Sequence, residues 1–234
     1  MTLASLSMNN PESAIQEAMA LIDNAIWRSI HDQDFLGELE TCRKAKRTLE
    51  NLCGLNPGLE KLRRKALSEC LLRIDNALVG LGRNDGSVDR TTEALTLAET
   101  SGSDVQVARA LLALGNALLS NGDIEQAEQS WVRVLLLAEA CPDDASMNHV
   151  VGWTLITRGN VLNTKSLYDQ AVSVLEDADS TLDSIGDNFG VATANDLLAD
   201  VYSNLGDEES SERCGLKADE FRRRLRKEPN PLSS

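Results

Sequence analysis

Side-chain amides recur along this chain at nearly constant intervals. Asparagine stands at positions 24, 76, 116 and 160, and Asp200 takes the fifth place, so the intervals are 52, 40, 44 and 40 residues. An asparagine side chain offers both hydrogen-bond donors and an acceptor, so it can pair with the backbone of a peptide without requiring a particular side chain. The row therefore predicts a surface that binds an extended or helical segment of another protein.

Apolar, aromatic and charged side chains accompany this row at helical spacing. Successive steps of three and four residues keep to one face of a helix, which places Arg109 on the face of Asn116 and Trp153 on that of Asn160, two turns away. The predicted partner-binding residues are Asn24, Trp27, Asn76, Arg109, Leu112, Asn116, Trp153, Ile156, Asn160, Asn163 and Asp200.

Two structural alternatives stay open for these side chains. The amides could bond between neighbouring helical hairpins and stabilise their stacking, or they could simply be solvated. Trp153 could anchor a ligand, as aromatic side chains often do in interfaces, or pack against the preceding hairpin.

Few residues could support catalysis or hold a metal ion. The chain has two histidines, His31 and His149, and no GxSxG, P-loop, GxGxxG or HExxH motif. The cysteines are odd in number, widely spaced and without a CxxC pair, so we interpret them as reduced and mostly buried. They are Cys42, Cys53, Cys70, Cys141 and Cys214. We therefore expect a protein that is not an enzyme and that has neither a metal nor a cofactor.

The elements that position the amides are most evident between residues 108 and 142, in the segment ARALLALGNALLSNGDIEQAEQSWVRVLLLAEACP. Apolar residues follow the spacing of two amphipathic helices, first at Leu111, Leu114 and Leu118, then from Ile124 onward. Between them lies SNGD, in which Gly122 suits the left-handed conformation that ends a helix. The segment predicts two helices joined by a tight turn.

This segment resembles the tetratricopeptide repeat, whose pattern is W-x2-L-G-x2-Y, then A-x3-F, then P. Here the pattern becomes Leu111-x2-Leu114-Gly115-x2-Leu118, then Ala127-x3-Trp131, with the closing proline three residues late at Pro142. The late proline indicates a variant with a longer second helix. The resemblance implies that Trp131 belongs to the core.

Weaker copies of the pattern are found on both sides. The four residues IDNA occur at 22–25 and at 74–77, on the same position of the pattern, and further copies begin at Leu155 and Asn195. Periods of 40 to 44 residues agree with an extended repeat. The longer first interval predicts an insertion, most simply around residues 53–58.

The resemblance implies an all-α fold, a right-handed superhelical solenoid of about five hairpins of the tetratricopeptide type. We expect one such domain over residues 12–228, between flexible ends at 1–11 and 229–234. The predicted helix pairs are 12–31 with 34–53, 58–81 with 87–101, 104–121 with 123–140, 144–164 with 167–185, and 188–205 with 207–227.

Such solenoids bind partners on an extended concave surface lined by the first helix of each hairpin. We therefore predict a non-catalytic adaptor or scaffold that holds a peptide or helix of a partner protein in this groove. The alternative is a module for self-assembly into homo-oligomers. A less favoured hypothesis is nucleic-acid binding through the basic segment RRRLRK at 222–227, which could equally complement the dipole of the last helix.

Charge and hydropathy narrow the environment. The formal net charge is −14, which repels nucleic acid and anionic membranes over most of the surface. No apolar run is long enough to cross a bilayer, and the first residues lack the features of a signal peptide. We expect a cytoplasmic protein that does not bind membranes.

Overall fold

The computed structural model describes residues 10–227, and all regular secondary structure in that range is helical. The predicted all-α fold and its ten helices are confirmed, with every helix end within three residues of its expected position. The helices are α1 Pro11–Asp32, α2 Phe35–Glu50, α3 Pro57–Gly80, α4 Ser87–Glu99, α5 Asp104–Ser120, α6 Ile124–Ala138, α7 Ala145–Thr164, α8 Tyr168–Ser184, α9 Asn188–Leu205 and α10 Glu208–Leu225.

The chain divides into two compact units, Met1–Gly122 and Asp123–Ser234. Helices α1 to α5 belong to the first unit and α6 to α10 to the second. The boundary falls in the turn after α5, where Gly122 has a φ of 91°, the left-handed conformation predicted for it. The expectation of one domain over 12–228 stays a prediction. The predicted flexible ends lie outside the described residues, except for Asn10 and Pro11, which cap and begin α1.

The repeat period is visible in the helix starts. Helices α5, α7 and α9 begin at residues 104, 145 and 188, which are 41 and 43 residues apart. The first interval is longer because Asn76 is the 20th residue of α3, whereas Asn116 is the 13th residue of α5. The extra residues therefore lie largely in the first turns of α3, and not only in the loop at 51–56.

The first unit is built around an apolar core between α1, α2 and α3. Ile15, Ile22, Leu39 and Leu49 are at most 2% exposed there. The sulfurs of Cys42 and Cys70 belong to the same core, and burial raises the pKa of Cys42 to about 12. These two thiols are therefore protonated at neutral pH and poorly reactive. All five cysteines are free, with Cys214 also buried, Cys141 half-buried and Cys53 exposed.

The pairing of α3 with α4 uses a polar contact at the position where the repeat has a small residue. Asp75, which aligns with the glycine of the pattern, is 6% exposed. Its carboxylate accepts hydrogen bonds from Ser87 Oγ at 2.8 Å and from Arg90 Nε at 3.0 Å, both on α4. The charge of this buried carboxylate is thus compensated by the neighbouring helix.

The pairing of α7 with α8 in the second unit depends on close approach. A Cβ atom added at Gly159 would lie 2.5 Å from Leu175 Cγ, and one added at Gly152 would lie 2.4 Å from Leu182 Cγ. Moving seven residues forward along α7, from Gly152 to Gly159, moves the contact seven residues back along α8, from Leu182 to Leu175, as expected for antiparallel helices.

Trp131 of α6 is fully buried, so its predicted place in the core is confirmed.

Replacing Gly159 by alanine should destabilise the protein. The added methyl group must displace Leu175, which is fully buried and cannot swing into solvent. Overpacking of this kind costs about 1–3 kcal/mol and outweighs a gain in helix propensity of about 1 kcal/mol. We expect the melting temperature, followed by circular dichroism, to fall by a few degrees.

The matched control is Gly215→Ala in α10, where an added Cβ meets no atom within 4 Å. The same substitution should there raise the melting temperature, because only the gain in helix propensity remains. A stabilising effect at Gly159, or equal effects at both glycines, would contradict close packing of α7 on α8.

A carboxyl group is also buried in the first unit. Glu38 of α2 is 1% exposed, and its Oε2 accepts a hydrogen bond from Asn76 Nδ2 at 3.2 Å, while its Oε1 has no hydrogen-bond partner. Burial raises the pKa of Glu38 above the ordinary glutamate value, and a hydrogen bond from Ser29 only partly opposes this. The folded protein therefore binds this proton more tightly than the unfolded chain does.

Glu38→Gln should consequently increase stability in a pH-dependent way. For wild type, the Glu38 contribution is fully present below the ordinary glutamate pKa and is lost as pH rises through the higher folded-state pKa. The variant cannot ionise, so its melting temperature should exceed that of wild type at pH 7.5, and the difference should shrink toward pH 4. Glu40→Gln, at an exposed position of the same helix, serves as the control for net charge. An equal gain for both variants, or a gain that does not depend on pH, would contradict the argument.

Candidate interaction face

The amide row of the first unit lies on α1, α3 and α5, and α3 packs against both other helices. Its members differ in environment. Asn24 is half-buried, Asn76 is exposed but donates to Glu38, and Asn116 is exposed. Among the described residues, the Asn116 amide takes part in no hydrogen bond. Of these three asparagines, Asn116 is the one that is both exposed and without a side-chain hydrogen bond among the described residues.

Arg109 takes part in a polar cluster that joins α3 to α5. Glu69 accepts from Arg109 at 3.3 Å, from Gln106 at 3.2 Å and from Arg73 at 3.0 Å. Burial, the largest influence, opposes ionisation of Glu69, but the charges of Arg73 and Arg109 hold its pKa below the ordinary value. Asp23 lines a cavity of about 140 Å³ beside this cluster, and burial and the charge of Glu69 raise its pKa. Arg109 thus bonds between repeats.

A larger pocket opens between α3, the turn after it and α5. Its volume is about 470 Å³, and it is lined by Val79 and Asn116 together with polar groups of the turn, including Asn84 and Asp85. Val79 is 46% exposed. Residues of two successive repeats therefore meet at one pocket, with an apolar group and an amide side by side.

The amide row of the second unit lies on α7 and α9. Asn160 and Asp200 are exposed at equivalent positions of the two helices, and among the described residues neither side chain has a hydrogen bond or ion pair. Asn163, three residues further along α7, accepts a hydrogen bond from Asn204 of α9 at 3.1 Å. This bond fixes the level of α9 relative to α7.

Trp153 lies at the other end of this face, in an aromatic patch formed with His149 and Phe189. Its ring centroid is 5.5 Å from that of Phe189 and 6.4 Å from that of His149. Its indole nitrogen donates to Asp187 Oδ2 at 3.0 Å, and the same oxygen lies 3.3 Å from His149 Nε2. Asp187 also caps α9 through the backbone N–H of Gly190. The same carboxylate that caps α9 therefore also orients the indole of Trp153.

The expectation that Ile156 lies on this face is wrong. Ile156 is 5% exposed and belongs to the core that Ala178 and Leu182 of α8 form with Val191 of α9. Its position, four residues after Gly152, turns it toward α8. Leu112 is half-buried, and Trp27 is half-buried and stacked on His31 at 4.3 Å between ring centroids.

Phe189 was not among the predicted residues, although a signal existed. It follows His149 by 40 residues, the period of the repeat, and so occupies the equivalent position of the next first helix. Asn204 follows Asn163 by 41 residues in the same way. Extending the amide alignment along each first helix would have found Phe189 and would have come within one residue of Asn204.

The basic segment at the end of α10 is engaged within the second unit. Arg222 pairs with Asp196 of α9 and with Asp219, and Arg224 pairs with Glu220 while its guanidinium lies 4.3 Å from the Phe221 ring centroid. These contacts favour the interpretation in which the cations complement their own helix and the acidic body. The other three cations of the segment, Arg223, Arg226 and Lys227, remain exposed, so binding of phosphates there stays a prediction.

Within residues 10–227, no three His, Cys, Asp or Glu side chains are placed to hold a metal ion together. None of the described helices combines the length and the apolar character that crossing a membrane requires.

The family model of the tetratricopeptide repeat matches residues 108–141, the segment in which the pattern is most evident. No curated protein sequence matches the chain.

Solved structures resemble the chain over most of its length. The crystal structure of BtubC (BKLC) from P. vanneervenii has a TM-score of 0.58 and 18% identity, and covers 97% of this chain and 96% of its own. A Podosopora anserina kinesin light chain structure with nearly identical TPR-like repeats has a TM-score of 0.49 and 12% identity over 94% and 100% of the two chains. The MamA protein has a TM-score of 0.42 and 18% identity over 91% and 98%.

The match at residues 108–141 and the fold shared with BtubC agree with the helix pattern and the repeat period. The chain therefore contains a tetratricopeptide repeat at residues 108–141 and has an all-α fold of the same type as BtubC.

Proposed function

We propose that this protein is a non-catalytic interaction module, an adaptor or scaffold, that binds a peptide or helix of a partner protein on the face of its first helices. The observation that carries the proposal is the state of Asn116 and Asn160. These amides recur at the repeat period, are exposed and, within the described residues, form no hydrogen bond. Amide groups in this state can pair with the backbone of an incoming segment.

The surroundings of both amides support binding rather than a purely structural role. Asn116 shares its pocket with the exposed side chain of Val79, and Asn160 lies two helical turns from Trp153. An apolar or aromatic group beside free amides offers both affinity and orientation to a ligand. Other members of the row, such as Asn76 and Asn163, already have partners inside the fold and are better explained as structural.

The decisive variant is Asn116→Ala combined with Asn160→Ala. Both residues lie in helix interiors, where alanine is favoured over asparagine by about 0.5 kcal/mol, so the variant should remain folded and melt no lower than wild type. We expect it to lose a protein that wild type retains in an affinity pull-down from native lysate followed by mass spectrometry. The matched control is Gln129→Ala combined with Gln170→Ala, which removes two exposed amides from second helices.

Retention of the same proteins by all three forms would refute binding at the first-helix face. A lower melting temperature of the asparagine variant would instead assign the amides to the stacking of repeats. The alternative of self-assembly is checked on the same samples by light scattering over a range of concentrations. A dimeric or larger mass of wild type, lost in the asparagine variant, would identify the partner as a second copy.

A further inference from the structure

The aromatic patch of the second unit is an accessible π-surface. Phe189 is 40% exposed, the side chain of His149 is 47% exposed, and Trp153 is half-buried. The whole chain contains three Trp, three Phe and two Tyr residues, so a surface contact between two of them is a local concentration of aromatic area. The faces of such rings carry partial negative charge and attract cations.

Carboxylates predominate around the patch. Helix α9 contains Asp196 and Asp200 and no lysine or arginine. The single arginine of α7, Arg158, is held by Glu128 of α6 at 2.6 Å. The carboxylate of Asp187 lies directly at the patch, against the Trp153 indole nitrogen. An anionic ligand would therefore be repelled here, and a cationic one attracted.

A second attachment point lies along the same face. The bond between Asn163 and Asn204 relates α7 to α9 by 41 residues, so the level of Trp153 on α9 is residue 194. Asp200 lies six residues further, about 9 Å along a helix, and eleven residues beyond Phe189 on α9, about 16 Å, a span that two long basic side chains help to bridge. Asp196 pairs with Arg222, whereas Asp200 is exposed and has no ion pair among the described residues. Three residues of an extended peptide span about 10 Å.

We propose that the partner segment is basic, and that it places one arginine or lysine on the aromatic patch and a second, three residues away, at Asp200. The amide of Asn160, which lies on α7 at about the level of Asp200, pairs with the backbone of the segment. This inference rests on the proposed function and adds the chemistry of the partner to it.

The test is a titration of the ¹⁵N-labelled full chain with the peptide acetyl-GRGGRG-amide, followed by ¹H–¹⁵N spectra. The indole N–H signal of Trp153 is assigned from the spectrum of Trp153→Phe. The indole signals of Trp27 and Trp131 provide controls within the same molecule. The matched peptides acetyl-GQGGQG-amide and acetyl-GEGGEG-amide replace the cations by neutral and by acidic groups at the same spacing.

We expect the arginine peptide to shift the Trp153 signal in a saturable way, with the other two indoles unaffected. The glutamine peptide should bind several-fold more weakly, and the glutamate peptide should leave Trp153 unshifted. Phe189→Ala should raise the Kd of the arginine peptide about two- to fivefold, which is the effect of losing one exposed cation–π contact. Asp200→Asn should raise the Kd by a similar factor. Asp177→Asn, which removes an exposed carboxylate from α8, should leave the Kd unchanged.

Equal shifts of all three indoles, or equal affinity of wild type and Phe189→Ala, would overturn the inference, because attraction to the acidic protein as a whole would explain them. Shifts of Trp153 by the glutamine or glutamate peptide as large as those by the arginine peptide would also overturn it, yet would leave binding at this face intact. Absence of any shift would overturn it too, and the pull-down with the Asn116 and Asn160 variant would then decide the proposed function separately.

Discussion

Close approach between paired helices is the constraint on which the rest of the structure depends. In the second unit it requires Gly152 and Gly159, because any larger residue would collide with the buried leucines of α8. In the first unit the same position of the repeat holds Asp75, and hydrogen bonds to α4 replace the close packing. In both cases one face of the first helix packs against the second helix of the same hairpin. The remaining stripes are left for neighbouring repeats and for solvent.

That division explains why one sequence pattern gives two kinds of asparagine. Asn163 lies one turn after Asn160 and is displaced around the helix axis, so it can face a different neighbour, whereas Asn76 and Asn116 hold the same position and differ in the partner within reach. Asn76 reaches Glu38 on α2, and Asn163 reaches Asn204 on α9. Asn116 and Asn160 point away from such partners. The row is therefore neither wholly structural nor wholly available for binding.

The two units present different chemistry at equivalent positions. Glu69, Arg109 and Trp153 follow each other at 40 and 44 residues and precede the amide of their repeat by seven residues. In the first unit the position carries an ion pair that joins α3 to α5, so its charges are already compensated. In the second unit it carries an indole beside a carboxylate and an exposed phenylalanine. The proposed preference for a basic segment therefore rests on the second unit.

The sequence by itself determined the elements and their period. Apolar spacing, the turn at Gly122 and the recurring amides are local signals, and local signals suffice because each hairpin is one contiguous stretch of chain. They also placed Trp131 correctly in the core. Only the tertiary structure decided that Ile156 is buried, that Phe189 joins Trp153, and that Arg109 pairs with Glu69. Each of these depends on how far a helix is rotated about its axis and on a partner some 20 to 40 residues away, and side-chain spacing along one helix contains neither quantity.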